Sequence, residues 1–145
     1  MPVTLHESDL ASIDPVTLYA ILRLRVDVFV VEQECAYPEL DGRDTEPGTV
    51  LLWAEDEGSV TATVRVLTDG QDRRIGRVAT ALSARGAGHA GRLMEQAVEL
   101  CEGHLTRLDA QARLEGWYGR YGFVRSGDDF LEDDILHVPM SRPSS

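Results

Sequence analysis

Ala84 to Met94 read ARGAGHAGRLM, and two patterns overlap there. Gly86, Gly88 and Gly91 spell G-x-G-x-x-G, while Arg85, Gly88 and Ala90 spell R-x-x-G-x-A. Both describe a backbone that can approach a pyrophosphate, because small side chains leave N–H groups accessible and a starting helix aims its positive end at an anion. The surroundings decide between them, and with them the fold. A dinucleotide fingerprint follows a strand directly, opens a β-α-β unit and has an acid about 20 residues further on. Here Ser83, Ala84 and Arg85 intervene, Asp109 stands near the start of the next strand, and little chain remains for further parallel units. No Gly-Lys-Ser/Thr follows to complete a P-loop. A turn that merely caps a helix explains Gly86 but not Gly88, Ala90 and Gly91 at a helix start, since Gly in a helix costs about 1 kcal/mol relative to Ala. Anion binding does explain them, with Arg85 as a fixed charge.

Downstream, Ala90, Leu93, Met94, Ala97, Leu100 and Cys101 recur at helical spacing until Gly103, predicting an amphipathic helix. Upstream, residues 49–67 form two β-rich runs around EDEGS, and RIGRVATAL (74–82) is a third, which predicts an antiparallel meander. Earlier still, Asp14 to Glu32 opens with a capping carboxylate and Pro15 and carries Leu18, Ile21, Leu22, Arg25 and Phe29 on one face. A helix is therefore expected as the first element, with a β-branched last turn prone to unwind. Residues 33–48 hold Pro38, Gly42, Pro47 and Gly48 among several acids and read as a long irregular connection, of the sort that is usually functional. After the second helix come a short strand (106–112), a short helix (114–122), and two strands within 123–140 joined by an acidic turn.

A length of 145 residues with 43% apolar side chains predicts one domain spanning residues 1–145. No apolar run nears the roughly 20 residues of a membrane span and the N-terminus lacks a secretion-signal layout, so no membrane partner and a cytoplasmic location are expected. The net charge of −11 argues against a nucleic-acid partner and suits a cationic small substrate, although acidity also serves solubility alone. All 14 basic residues are arginine, with no Lys or Asn, which points to GC-rich coding rather than function. Cys35 and Cys101 read as buried thiols, and the four histidines lack ligand spacing, so no metal is expected.

The R-x-x-G-x-A signature after a meander, then a strand and WYGRYGF (117–123), resembles the GNAT superfamily of acetyl-CoA-dependent N-acetyltransferases. LYAILRLRVDVFVVEQECAYPELDGRD (18–44) resembles its ElaA-like branch, and together the likeness spans nearly the whole chain. It implies an α/β fold with a mixed, mostly antiparallel sheet of about six to seven strands flanked by helices. It also implies that Arg85, Gly86, Ala87, Gly88, His89 and Ala90 offer N–H groups to the pyrophosphate, with the His89 side chain in solvent. Val78, Ala79 and Thr80, on a splayed strand, would face the pantetheine arm. Dimers are common in the superfamily, so a homodimer is among the partners it implies.

The chemistry such an enzyme needs can be set beside these residues. A primary amine must lose a proton, at a pKa of about 10.4, before it attacks a thioester; the oxyanion needs a donor, which the backbone near Val78 offers; and a thiolate must leave. The resemblance makes Tyr118 the acid for that thiolate, while Tyr121 and Phe123 pack in the core. Many relatives carry a glutamate on the strand before the loop, but RIGRVAT (74–80) has no carboxylate. Glu32 is then the first choice of base, followed by Asp41, Asp44 and His137, with ordered water as another route. Gln111 is placed to contact acetyl group or acceptor. The acceptor stays open, and so does a different class of function, a CoA-sensing domain without turnover. An NAD-binding module rests on the glycine spacing alone.

Overall fold

The apolar runs on either side of the glycine stretch become neighbours in one sheet. In the computed structural model, which describes residues 3–144, the order is β1 (Thr4–Ser8), α1 (Pro15–Val26), β2 (Val50–Asp56), β3 (Ser59–Asp69), β4 (Asp72–Thr80), α2 (His89–Leu100), β5 (Thr106–Gln111), α3 (Glu115–Gly119), β6 (Val124–Arg125), β7 (Phe130–Glu132) and β8 (Ile135–Arg142). The strands lie in the order β1-β2-β3-β4-β5-β8-β6, with β7 also on β8. All pairs are antiparallel except β4 with β5. The mixed α/β architecture is the expected one, with eight strands instead of six or seven. Two local readings account for the difference. The first element is β1 rather than a helix, because TLHES is too short and polar to show a period and forms only as β2's partner. The last segment divides into β6, β7 and β8 rather than two strands.

Helices cover both faces, so β2 and β3 are apolar almost throughout. Leu52, Ala54, Val64 and Val66 face α2 through Leu93, Met94 and Ala97, while Leu51 and Trp53 face α1 through Ile21. Asp14 caps α1 by accepting the Thr17 N–H at 3.0 Å, and Ile21, Leu24, Arg25 and Val28 are its buried stripe. The valine-rich end does not unwind; it widens into one π-helical turn, Asp27–Glu32. Such turns commonly accompany functional sites.

The feature that makes the site is a parting of strands. β4 and β5 pair only through Arg73 with Thr106 and Arg74 with Arg107, and beyond that point they diverge. β4 also bulges against β3: its register shifts between the Arg65–Gly76 and Thr63–Ala79 pairs, and Arg77 takes a left-handed φ of 50°.

Candidate active site

Beyond Arg74 the β5-facing edge of β4 has no ladder partner. The Ala81 N–H bonds the Thr61 carbonyl of β3 at 2.8 Å. Successive strand residues face opposite neighbours, so Ala79 also turns its main chain to β3, while Val78 and Thr80 turn theirs to the opening. Val78 also lines the cleft. Ala79 does not present backbone to the opening and packs its methyl on Leu24 and Val28. The Thr80 carbonyl faces the opening but accepts from Arg85 Nε and Nη2, both at 3.2 Å. The cleft between the parted strands measures about 1140 Å³, above the roughly 300–1,000 Å³ of ordinary small-ligand sites. It has room for a long cofactor and a second substrate.

The glycine loop closes one end. Gly86 and Gly88 adopt left-handed backbone (φ 86° and 82°), which glycine takes readily, and Gly88 caps α2. Among the described residues the N–H groups of Gly86, Gly88, His89, Ala90 and Gly91 have no acceptor; the first bond of the turn is Arg92 N–H to the Gly88 carbonyl, 3.2 Å. Five free donors at the positive end of a 12-residue helix make an anion seat. Two expected donors are not part of it, because the Arg85 and Ala87 N–H groups bond Leu82 and Ala84 within the loop. Ala87 also lies outside the cleft lining. The His89 side chain is not in solvent: it is 6% exposed, with Nδ1 2.7 Å from Thr61 Oγ1, so it pins α2 to β3 and offers a ligand only its backbone. Gly91 lets Tyr121 come close, since a Cβ there would lie 2.7 Å from the Tyr121 hydroxyl.

Glu32, the first-choice base, faces the cleft from the end of the π turn, but Arg85 grips its carboxylate at two points, 2.7 and 2.6 Å. Those bonds hold the Glu32 carboxyl below its usual range. A carboxylate so held is a weaker base, and Arg85 is not a free charge for an anion.

On the other wall α3 carries Tyr118, 7% exposed and edge-on to Trp117 and Phe123. It lines the cleft, and its hydroxyl has no hydrogen-bond partner among the described residues. Burial raises the phenol above the ordinary tyrosine range, so it stays protonated at neutral pH. Gln111 and His137 are register partners on β5 and β8, and both line the cleft. Gln111 bonds Gln33 at 3.3 Å and Arg113 at 3.0 Å. His137 stacks on Phe130 and donates through Nδ1 to the Ile135 carbonyl at 2.7 Å, which leaves Nε2 as an acceptor.

The acid-rich connection is pinned over the cleft by charge. Arg25, fully buried on α1, donates to Glu39 at 2.6 Å and to Asp44 at 2.7 and 3.2 Å. Arg65 of β3 grips Asp41 at 2.9 and 3.1 Å. Arg77, at the bulge, reaches Asp41 at 3.2 Å and lies 5.5 Å over the Tyr37 ring. Its Nε stands 2.9 Å from Glu39 but off-line, a charge contact rather than a hydrogen bond. Three arginines meet three carboxylates, the condition under which buried ions stay charged without a large penalty. Asp41 and Asp44 are therefore anchors rather than bases. Burial pushes Asp41 upward, but the Arg65 bonds, the Arg43 N–H and the Arg77 charge together outweigh it and hold the carboxyl at about 2. Sequence reasoning missed this cluster, although an arginine inside the apolar stripe of α1, just before a run of acids, was its signal.

Residues 23–143 match the model of the acetyltransferase (GNAT) domain. The chain belongs to the GNAT family. Protein ElaA of Escherichia coli K12 is 37% identical over 147 residues, covering 95% of this chain and 93% of ElaA. A UPF0039 protein of Mycobacterium tuberculosis H37Rv is 49% identical over 138 residues, covering 92% and 88%. Among solved structures, an acyl-CoA N-acyltransferase from Pseudomonas aeruginosa superposes with a TM-score of 0.93 at 40% identity, covering 98% of this chain and 100% of that one. The crystal structure of E. coli ElaA superposes at 0.91, with 30% identity over the superposed residues and the same coverage. This GNAT domain thus lies in the ElaA-like branch, and its parted strands and glycine loop stand within an acyltransferase fold.

Proposed function

We propose that the protein transfers an acetyl group from acetyl-CoA to a primary amine by direct attack in a ternary complex. The observation that carries this is the conjunction of free N–H groups at Gly86 and from Gly88 to Gly91 with a groove-facing backbone at Val78 and an unpartnered, protonated Tyr118 in one cleft. The loop would hold a pyrophosphate through these N–H groups, and the open edge of β4 would hold a pantetheine arm. Bound there, the cofactor supplies an activated acyl thioester. The Val78 N–H, on the unpaired edge of β4, would be the donor for the charge that develops on the acyl oxygen. Tyr118 donates a hydrogen bond to the departing sulfur; because its proton is held more tightly than that of a thiol of pKa about 8.5, full transfer runs uphill and stabilisation comes from the bond itself.

Of the four candidate bases, Glu32, Asp41 and Asp44 are held by arginines, and His137 is not. We assign His137 Nε2 the amine's proton, directly or through water. Glu132 and Asp133 also line the cleft and favour a cationic amine. Gln111 borders the acceptor. Among the described residues no helix is long and apolar enough to cross a membrane. The acyl-CoA N-acyltransferase that superposes on this chain supports the cofactor class.

A CoA-sensing domain without turnover is the second reading, favoured by the arginine-held state of all three carboxylates. Thiol release from acetyl-CoA across a panel of amines separates the two. Release with at least one amine establishes an enzyme, and none with any amine, while CoA still binds, establishes a sensor.

A further inference from the structure

Arg85 stands at the junction of three groups and satisfies only two of them. Its guanidinium takes both oxygens of Glu32, at 2.6 and 2.7 Å, and the Thr80 carbonyl at 3.2 Å, while the free N–H groups that begin at Gly86 lie next to it in the chain. Both partners belong to the cleft: Glu32 enters it from the π turn, and the Thr80 carbonyl faces the groove along β4. The two side chains are 37% and 45% exposed, and an ion pair that solvent reaches contributes little to stability. A pyrophosphate seated on the adjacent N–H groups offers the same guanidinium a stronger, multiply charged and bidentate partner.

We infer that Glu32 and the cofactor's pyrophosphate compete for Arg85, so that cofactor binding releases the Glu32 carboxylate into the acceptor half of the cleft. This rests on the acyl-CoA reading above. Freed from Arg85, Glu32 adds a negative charge beside Gln33 and Gln111, offset only in part by Arg113, and draws in the acceptor's ammonium. Before the cofactor arrives, the same charge is cancelled and the Thr80 carbonyl is covered. Binding is then ordered, cofactor first, and Glu32 acts as a positioning residue for the amine while His137 handles its proton.

The test is titration calorimetry with CoA on the wild type, Glu32→Gln, Arg85→Gln and the double variant. Removing the competitor tightens CoA binding about two- to fivefold in Glu32→Gln, the range an exposed ion pair supports. Arg85→Gln weakens it, and in that background Glu32→Gln has no further effect, because the coupling runs through Arg85. Unchanged or weaker CoA binding in Glu32→Gln overturns the competition, as does an equal gain in the Arg85→Gln background. A wild type that does not bind CoA at all removes the acyl-CoA reading as well, so the two failures are told apart. Melting curves of each variant verify folding at this exposed site.

Discussion

Tyr118 combines two properties that ordinary core tyrosines lack together: near-complete burial and a hydroxyl with no protein partner. The ring is enclosed while the hydroxyl opens onto the cleft, so it is free to donate to a group that enters there. Replacing it with phenylalanine keeps the packing and removes only the hydroxyl. Tyr118→Phe is expected to lower kcat about 10²-fold or more, the range for removing one positioned hydrogen-bond donor, and to leave CoA affinity unchanged. Equal rates for the two proteins in a thiol-release assay remove Tyr118 from the mechanism. In the sequence, WYGRYGF offered Tyr118 and Tyr121 alike, and only the resemblance to the GNAT superfamily singled out Tyr118. The fate of Glu32 was not legible there, because its partner is 53 positions away in the chain, and no local pattern reports such a pair. His89 misled for a similar reason: a histidine in a glycine-rich loop reads as exposed until β3 supplies Thr61.

The element that sequence reasoning described least well is the connection from Gln33 to Gly48. Its prolines, glycines and acids announce a loop correctly, but composition does not tell a solvated loop from one nailed down by buried arginines. The nails are Arg25 of α1, Arg65 of β3 and Arg77 of the β4 bulge. Arg25→Met strips buried Glu39 and Asp44 of their arginine hydrogen bonds, leaving the charge contacts of Arg77 and Arg65, and is expected to cost about 3–5 kcal/mol, read as a lower urea midpoint. A change of under about 1 kcal/mol shows that the carboxylates find other partners. The pH dependence has a definite sign. Asp41 titrates lower in the folded chain, at about 2, than in the unfolded chain, near 3.9. Its contribution is fully present above pH 4 and is lost as pH falls toward 2. The melting temperature should therefore drop across that window, and less so in Asp41→Asn; an equal drop in both contradicts the role assigned to Asp41. The helices and the meander, by contrast, follow from local period and capping, which is why α2 and β2 to β4 were readable in advance. β1 was not, being five residues that are a strand only because β2 lies beside them.

At the scale of the molecule, one sheet gathers the glycine loop, the tyrosine wall and the anchored connection around the place where β4 leaves β5. Each part is ordinary alone: a glycine turn, a buried tyrosine, a charge cluster. Their placement in one cleft of a GNAT fold is what gives them a joint chemistry, and the G-x-G-x-x-G spacing has no part in a dinucleotide fold. Gly91 serves close packing against Tyr121. The most direct check of the central claim is a thermal-shift comparison of acetyl-CoA with NAD. A ligand at 100 times its dissociation constant stabilises by about 2.7 kcal/mol, worth several degrees in a chain of this size. Acetyl-CoA is predicted to raise the melting temperature by that amount and NAD to leave it unmoved. A rise with NAD and none with acetyl-CoA would contradict the claim.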